Sequence, residues 1–169
     1  MLRIRDAEAN DVGVILKLIH GLAEYERAAE GAVTATEANL LRDGFGERPR
    51  FHVVLADWNG QAVGFAFYFF NYSTWQARMG LYLEDLFVVP AYRGWGIGKA
   101  LLVHLAGIAV AKDCGRYQWQ VLDWNEPAIR FYEAMGAKVL REWLPVRVEG
   151  DDLARLAATP VTVKRPEIR

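Results

Sequence analysis

The sequence predicts an α/β chain of the α+β kind: a central mixed, mostly antiparallel sheet of about six or seven strands with flanking helices. Three observations carry that reading. Strand-like and helix-like stretches follow one another in the order β-α-α-β-β-β-α-β-α-β. The pair Asn59-Gly60 between two apolar runs marks a tight hairpin, so the early sheet is antiparallel. A glycine-rich loop, Arg93–Gly98, then joins a strand to a helix, as crossover connections do.

Taken in order, Leu2–Arg5 is the first strand. Asn10 or Asp11 offers an N-cap to a helix in which Ile15, Leu18, Ile19 and Leu22 recur at helical spacing. A second, shorter helix covers Thr36–Arg42 before the turn at Asp43-Gly44. Phe51–Asp57 and Gln61–Asn71 are the hairpin arms, and Gly80–Val89 is a further strand ended by Pro90. From Gly98 to Asp113 a helix is expected, with Ile97, Leu101, His104, Ile108 and Ala111 on one face. Arg116–Leu122 is a strand. Asn125 caps a helix whose first turn holds Pro127, and that helix ends near Gly136. Trp143–Val148 closes the sheet, and Gly150–Ala158 is a last short helix. No repeat or low-complexity linker divides the chain, so residues 1–158 are expected to form one domain, followed by a tail, 159–169, of unassigned role.

Composition narrows the function classes. The 169 residues are 53% hydrophobic and 24% charged, which suits a packed domain. A formal net charge of −1 without a Lys/Arg block argues against nucleic acid as the main partner. Cys114 is the only cysteine, which rules out an intrachain disulfide and a cysteine-based zinc site. His20, His52 and His104 are too widely spaced to suggest a metal. The N-terminus has no apolar signal region and no apolar run reaches membrane-spanning length, so a soluble, cytoplasmic protein is expected, with no membrane partner.

The run Arg93-Gly94-Trp95-Gly96-Ile97-Gly98-Lys99-Ala100 carries the strongest chemical signal. Alternating glycines let successive backbone N–H groups line a concave surface, and the helix that follows adds its positive end. Pyrophosphate is a natural client of such a loop. Two familiar alternatives fail on spacing. A Rossmann fingerprint counted from Gly94 needs glycine or alanine at Lys99, and counted from Gly96 it needs one at Leu101. A P-loop needs glycine at Arg93 and Ser/Thr at Ala100.

Upstream, Glu84-Asp85 interrupts an apolar strand, between Leu81-Tyr82-Leu83 and Leu86-Phe87-Val88-Val89. Two carboxylates there are costly unless they meet water, a cation or special backbone geometry. Consecutive strand residues face opposite sides, so both reach one cleft only if the strand bulges. Downstream, Tyr132 shares a helical stripe with Ala128, Phe131 and Met135, which by periodicity alone reads as core.

Arg93–Ala100 resembles the acetyl-CoA signature of the GNAT acetyltransferase superfamily. Tyr82-Leu83-Glu84-Asp85, Tyr92–Gly98, Asp123-Trp124-Asn125-Glu126-Pro127 and Phe131-Tyr132 are similar to the spermidine/spermine (diamine) acetyltransferase group. Tyr72-Ser73-Thr74-Trp75 and Val121–Asn125 are closer to its thialysine acetyltransferase branch. The likeness runs from Ile4 to Ala158. It implies the GNAT fold, acetyl-CoA as cosubstrate without a metal, and acetyl transfer by direct attack to a primary amine of a small cationic molecule, either a diamine or polyamine or a thialysine-like amino acid.

By that resemblance Glu84 accepts the amine proton, directly or through water, and Tyr132 protonates the departing thiolate. Leu86, Phe87, Val88, the loop from Arg93 through Gly94, Trp95, Gly96, Ile97 and Gly98 to Lys99, and then Asn125, Pro127, Ala128 and Tyr132 hold the cofactor. Tyr25, Glu26, Trp75, Glu84, Asp85, Gln120, Glu142 and Trp143 line the acceptor site, where tryptophan faces and carboxylates suit an alkylammonium chain. One departure matters: polyamine-specific members carry an acid before Trp75, where this chain has Ser73-Thr74, so a shorter amine is favoured. The family also implies a homodimer. Two rivals keep parts of the reading: an acetyltransferase acting on a protein or peptide amine, and a non-catalytic CoA-binding module.

Overall fold

The computed structural model describes residues 1–163. Of the tail expected to stand apart, 164–169 lie outside the described residues. The chain divides into two compact units, Met1–Gln120 and Val121–Arg169.

The first unit holds the whole sheet. Its strands are β1 (Leu2–Asp6), β2 (His52–Trp58), β3 (Gln61–Ser73), β4 (Arg78–Val88) and β5 (Arg116–Gln118), lying side by side in that order. The first three pairings are antiparallel, and β5 joins β4 in parallel, as its crossover through a helix requires. Asn59-Gly60 makes the expected turn, both residues at positive φ.

Two helices precede the hairpin. A short 3-10 turn, Ala9–Asp11, capped reciprocally by Glu8 and Asp11, leads into α1 (Val12–Tyr25). Thr36 then caps α2 (Glu37–Gly44) by accepting from the N–H of Asn39. The apolar stripe of α1, Ile15, Leu18 and Leu22, packs with Leu40, Val53, Leu55, Phe65 and Phe87. Gly21 lets that contact close: a Cβ there would come within 3.0 Å of the Phe87 ring. The alternate strand residues Val54, Ala56, Ala66 and Leu83 are buried too, so the sheet is covered on both faces, and α3 (Ile97–Ala111) lies against β1 to β4. In α3 the buried positions are Ile97, Leu101, Leu102, Leu105 and Ala109, whereas His104 and Ile108 are only half-buried. Of the expected face, Ile97 and Leu101 are buried, but Ala111 is exposed and the later buried positions fall at Leu105 and Ala109, because most residues of this helix are apolar and the periodicity is weak.

In the second unit α4 (Glu126–Ala134) starts at Asn125, whose Oδ1 accepts from the N–H of Ala128 at 3.4 Å, with Pro127 in the first turn. Gly136, at φ +89°, takes the left-handed position after the helix. A last helix, α5 (Asp151–Ala157), follows Gly150.

The sequence expectation fails at one element. Trp143–Val148 forms no strand, so the sheet has five strands among the described residues and not six or seven. Its apolar side chains do not alternate between a covered and an open face. Trp143, Leu144 and Val146 are 68%, 81% and 92% exposed, and Pro145 removes a ladder donor from the middle. The expected strand Arg116–Leu122 likewise shortens to Arg116–Gln118.

Candidate active site

The candidate residues fall into two groups, one on each unit. On the first unit the key feature is a register shift in β4. Phe67 lies opposite Asp85, but the next residue, Tyr68, lies opposite Leu83. Glu84 is therefore the extra residue of a β-bulge, the device that two adjacent carboxylates need. β5 pairs only with Gly80, Leu81 and Tyr82. From Leu83 to Val88 the outer edge of β4 carries no ladder among the described residues, so its backbone groups, apart from the Val88 carbonyl that Arg93 engages, are available to a ligand.

Burial and charge at the bulge act in the same direction. Glu84 is exposed and Asp85 half-buried. The Asp85 carboxyl is pushed up to about 7, first by burial and then by the negative charges of Glu84 and Glu26. Glu26, at the end of α1, is itself raised by burial. Three acidic side chains thus lie in one neighbourhood, which favours a positively charged ligand.

The glycine loop begins after a 3-10 turn, Pro90–Tyr92, that ends β4. Gly94 and Gly96 have φ of +79° and +80°, and Gly96 is the N-cap of α3. No atom lies within 4 Å of the place where a Cβ would stand at either residue. The loop is therefore an open backbone cradle feeding the positive end of a 15-residue helix, and its donor set fits the pyrophosphate of acetyl-CoA. Trp95 steadies it edge-on against Tyr92 and Trp58, at centroid distances of 5.5 Å and 5.1 Å. The sequence reading held Tyr92 only as the start of the block Tyr92–Gly98 and did not connect Trp58 with this loop, since a contact between β2 and the loop leaves no local signal.

Arg93 turns away from the cradle. Its Nε donates to the carbonyl of Val88 at 2.9 Å, and its guanidinium lies 4.2 Å from the centre of the Tyr25 ring and 5.5 Å from that of Phe87. Tyr25, Phe87, Val88 and Arg93 are thereby brought together. Trp75 is not gathered with them: it sits beyond the last β3–β4 pair, Ser73–Arg78, and is 93% exposed. Gln120 is exposed beyond the end of β5.

On the second unit Asn125 is buried at the start of α4, where capping fixes its amide. Tyr132 is half-buried on the same face as Ala128, its ring 5.4 Å from that of Phe131. Ile129 is the most buried side chain of this helix. Glu142 and Trp143 lie in the irregular segment that follows and are exposed. Among the described residues no cluster of three His, Cys, Asp or Glu side chains is arranged to hold a metal ion, and no helix is long and apolar enough to cross a membrane.

A strand with an acidic bulge, an unpaired outer edge and a glycine cradle at its end offers an anion site beside a cation site on one short stretch of chain. Comparison with known proteins gives the class. Residues 18–137 match the acetyltransferase (GNAT) family. The thialysine N-epsilon-acetyltransferase of Mus musculus is 40% identical over 166 residues, covering 92% of this chain and 96% of the relative. The L-ornithine N5-acetyltransferase of Arabidopsis thaliana is 36% identical, covering 89% and 86%. Among solved structures, an integron cassette protein from the mobile metagenome of V. cholerae superposes with a TM-score of 0.76 at 30% identity, covering 94% of this chain and 98% of that one. The chain belongs to the GNAT acetyltransferase family. It is an acetyl-CoA-dependent N-acetyltransferase.

Proposed function

We propose that the acceptor is the side-chain amine of a small, amino-acid-like cation of the thialysine or ornithine type, and that residues 1–158 act as a single acetyltransferase domain. The observation that carries this reading is the acidic bulge. Asp85, raised by burial and by two neighbouring carboxylates, is stabilised when an ammonium group arrives. The family match, residues 18–137, runs from the first compact unit into the second, which supports one functional domain. The names of the relatives, which act on thialysine and ornithine amines, support the short acceptor, as does the missing acid before Trp75.

An alkylamine of pKa ~10.4 is neutral in only about one molecule in a thousand near neutral pH, so a base is needed. Glu84, exposed at the bulge, takes the proton from the ammonium, directly or through one water. Asp85 and Glu26 hold the remaining positive charge, with Tyr25, Trp75, Gln120, Glu142 and Trp143 as further acceptor contacts. Bound acetyl-CoA supplies an acetyl group activated as a thioester. The amine attacks it directly, the carbon–sulfur bond breaks, and Tyr132 donates a proton to the sulfur. The edge of β4 at Leu86, Phe87 and Val88, the loop from Arg93 to Lys99, and Asn125, Pro127 and Ala128 hold the cofactor. A cytoplasmic setting fits the lone Cys114. A homodimer fits the run of exposed apolar side chains Trp143, Leu144, Val146 and Val148, which a second copy would cover.

The test is an acceptor panel of thialysine, ornithine, lysine, putrescine, spermidine and a lysine-containing peptide, read by release of free CoA. Turnover is expected to be highest on thialysine or ornithine and low on spermidine. Turnover confined to the peptide, or none on any amine, defeats the reading.

A further inference from the structure

Arg93 is the first residue of the glycine loop, where a cation would ordinarily be assigned to phosphate. Its side chain is committed elsewhere. The Nε–H donates to the Val88 carbonyl, and the guanidinium carbon lies over the Tyr25 ring, with Phe87 close by. One planar group therefore joins three elements: the cradle, the end of β4 and the last turn of α1. In the functional reading above, on which this inference rests, those elements serve different reactants. The cradle and β4 end belong to acetyl-CoA, whereas Tyr25 and the adjoining Glu26 belong to the amine.

We propose that Arg93 is a positioning residue that couples the two substrate sites, so that each substrate tightens the binding of the other. The route is short and physical. An anion seated on the N–H groups around Gly94 and Gly96 further holds both residues at their positive φ, against the wide φ range open to glycine. Fixing the loop fixes the Arg93 backbone, and the hydrogen bond to Val88 leaves the guanidinium one direction to point. Tyr25 is then held against a flat cation, and Glu26, next in the chain at the cap of α1, is held with it. By linkage the effect runs both ways: an amine held at Tyr25 and Glu26 orders Arg93 and so the cradle. Lysine could not do this, since it has neither the planar face nor a donor at the Nε position. The contact is solvent-facing, so the coupling belongs at the low end of the usual range, about fivefold.

Calorimetry on the whole chain tests this without turnover, because free CoA carries no acetyl group to transfer. Thialysine is titrated into the protein alone and into the protein saturated with CoA, and the ratio of the two Kd values is the coupling. The wild type is expected to bind thialysine about fivefold tighter with CoA present. Arg93→Met and Arg93→Lys are each expected to bring the ratio to about one. Tyr25→Phe keeps the ring and should retain the coupling, whereas Tyr25→Leu should lose it. A wild-type ratio of one overturns the proposal, and so does an Arg93→Lys variant that couples like the wild type, since Arg93 would then act only as a charge. Failure of the functional reading looks different: no CoA binding, or no thialysine binding in either state, removes both.

Discussion

The glycine loop and the carboxylate bulge lie within one short stretch of chain, Glu84 to Gly98, and they are built by opposite means. The loop offers backbone. Its binding groups are N–H vectors fixed by two positive φ angles and an open space where side chains would stand. The bulge offers side chains, and what fixes them is a slip in pairing between β3 and β4 that leaves Glu84 without an opposite residue. A backbone site depends on which residues are glycine. A side-chain site depends on the register of a neighbouring strand. The two should therefore fail differently when altered, one in cofactor binding and the other in turnover and acceptor binding.

The largest effect is expected where a proton moves. Glu84→Gln keeps the shape of the bulge and removes the proposed base. Turnover should fall by about a hundredfold or more, while the Kd for CoA changes less than twofold. Tyr132→Phe should act in the same way on the departing sulfur. Stopped-flow turnover beside CoA calorimetry separates these cases, and a Glu84→Gln enzyme with unimpaired kcat rules Glu84 out as the base.

At the loop the pattern should invert. Gly96 stands at φ +80°, a conformation that a β-branched residue adopts only at a cost of about 1–3 kcal/mol. Gly96→Val should weaken CoA binding by about ten- to a hundredfold. At saturating acetyl-CoA its kcat should stay within a few fold of wild type. If Gly96→Val lowers kcat and leaves the CoA affinity intact, the division between a backbone site and a side-chain site is wrong.

The same contrast explains what could be read in advance. The loop was legible because glycine spacing is local and the rival phosphate motifs fail at named positions, Lys99, Leu101 and Ala100. Most elements of the first unit were legible too, since Asn59-Gly60, Pro90 and the stripe of α1 are local signals. The bulge was visible only as a condition: Glu84 and Asp85 side by side demanded one, but a register slip is a property of two strands. Trp143–Val148 misled for the same reason in reverse. Its residues have strand-like propensity, but propensity does not supply a partner. The side-chain path of Arg93 was not legible at all. It depends on Tyr25, whose distance in sequence carries no periodic signal.

The smallest expected effect concerns Asp85, and its sign discriminates between two accounts of the acidic cluster. In an unfolded chain an aspartate titrates near ~3.9, whereas here Asp85 holds its proton up to about 7 because ionising it means burying a charge beside two others. Below the unfolded value both states are protonated and folding keeps its full stability. As pH rises toward about 7 the unfolded chain ionises first, so the folded state loses stability until Asp85 ionises as well. Asp85→Asn removes that loss. Thermal melts should find the variant equal to wild type near pH 4 and more stable at pH 8, by about 1–2 kcal/mol once water around a half-buried group is allowed for. The same substitution should raise the acceptor KM by about tenfold, because the charge that strains the folded chain is the one an ammonium group relieves. A variant that is less stable at pH 8 would mean that Asp85 already has a cationic partner in the folded chain. The carboxylates would then serve the fold and not the amine.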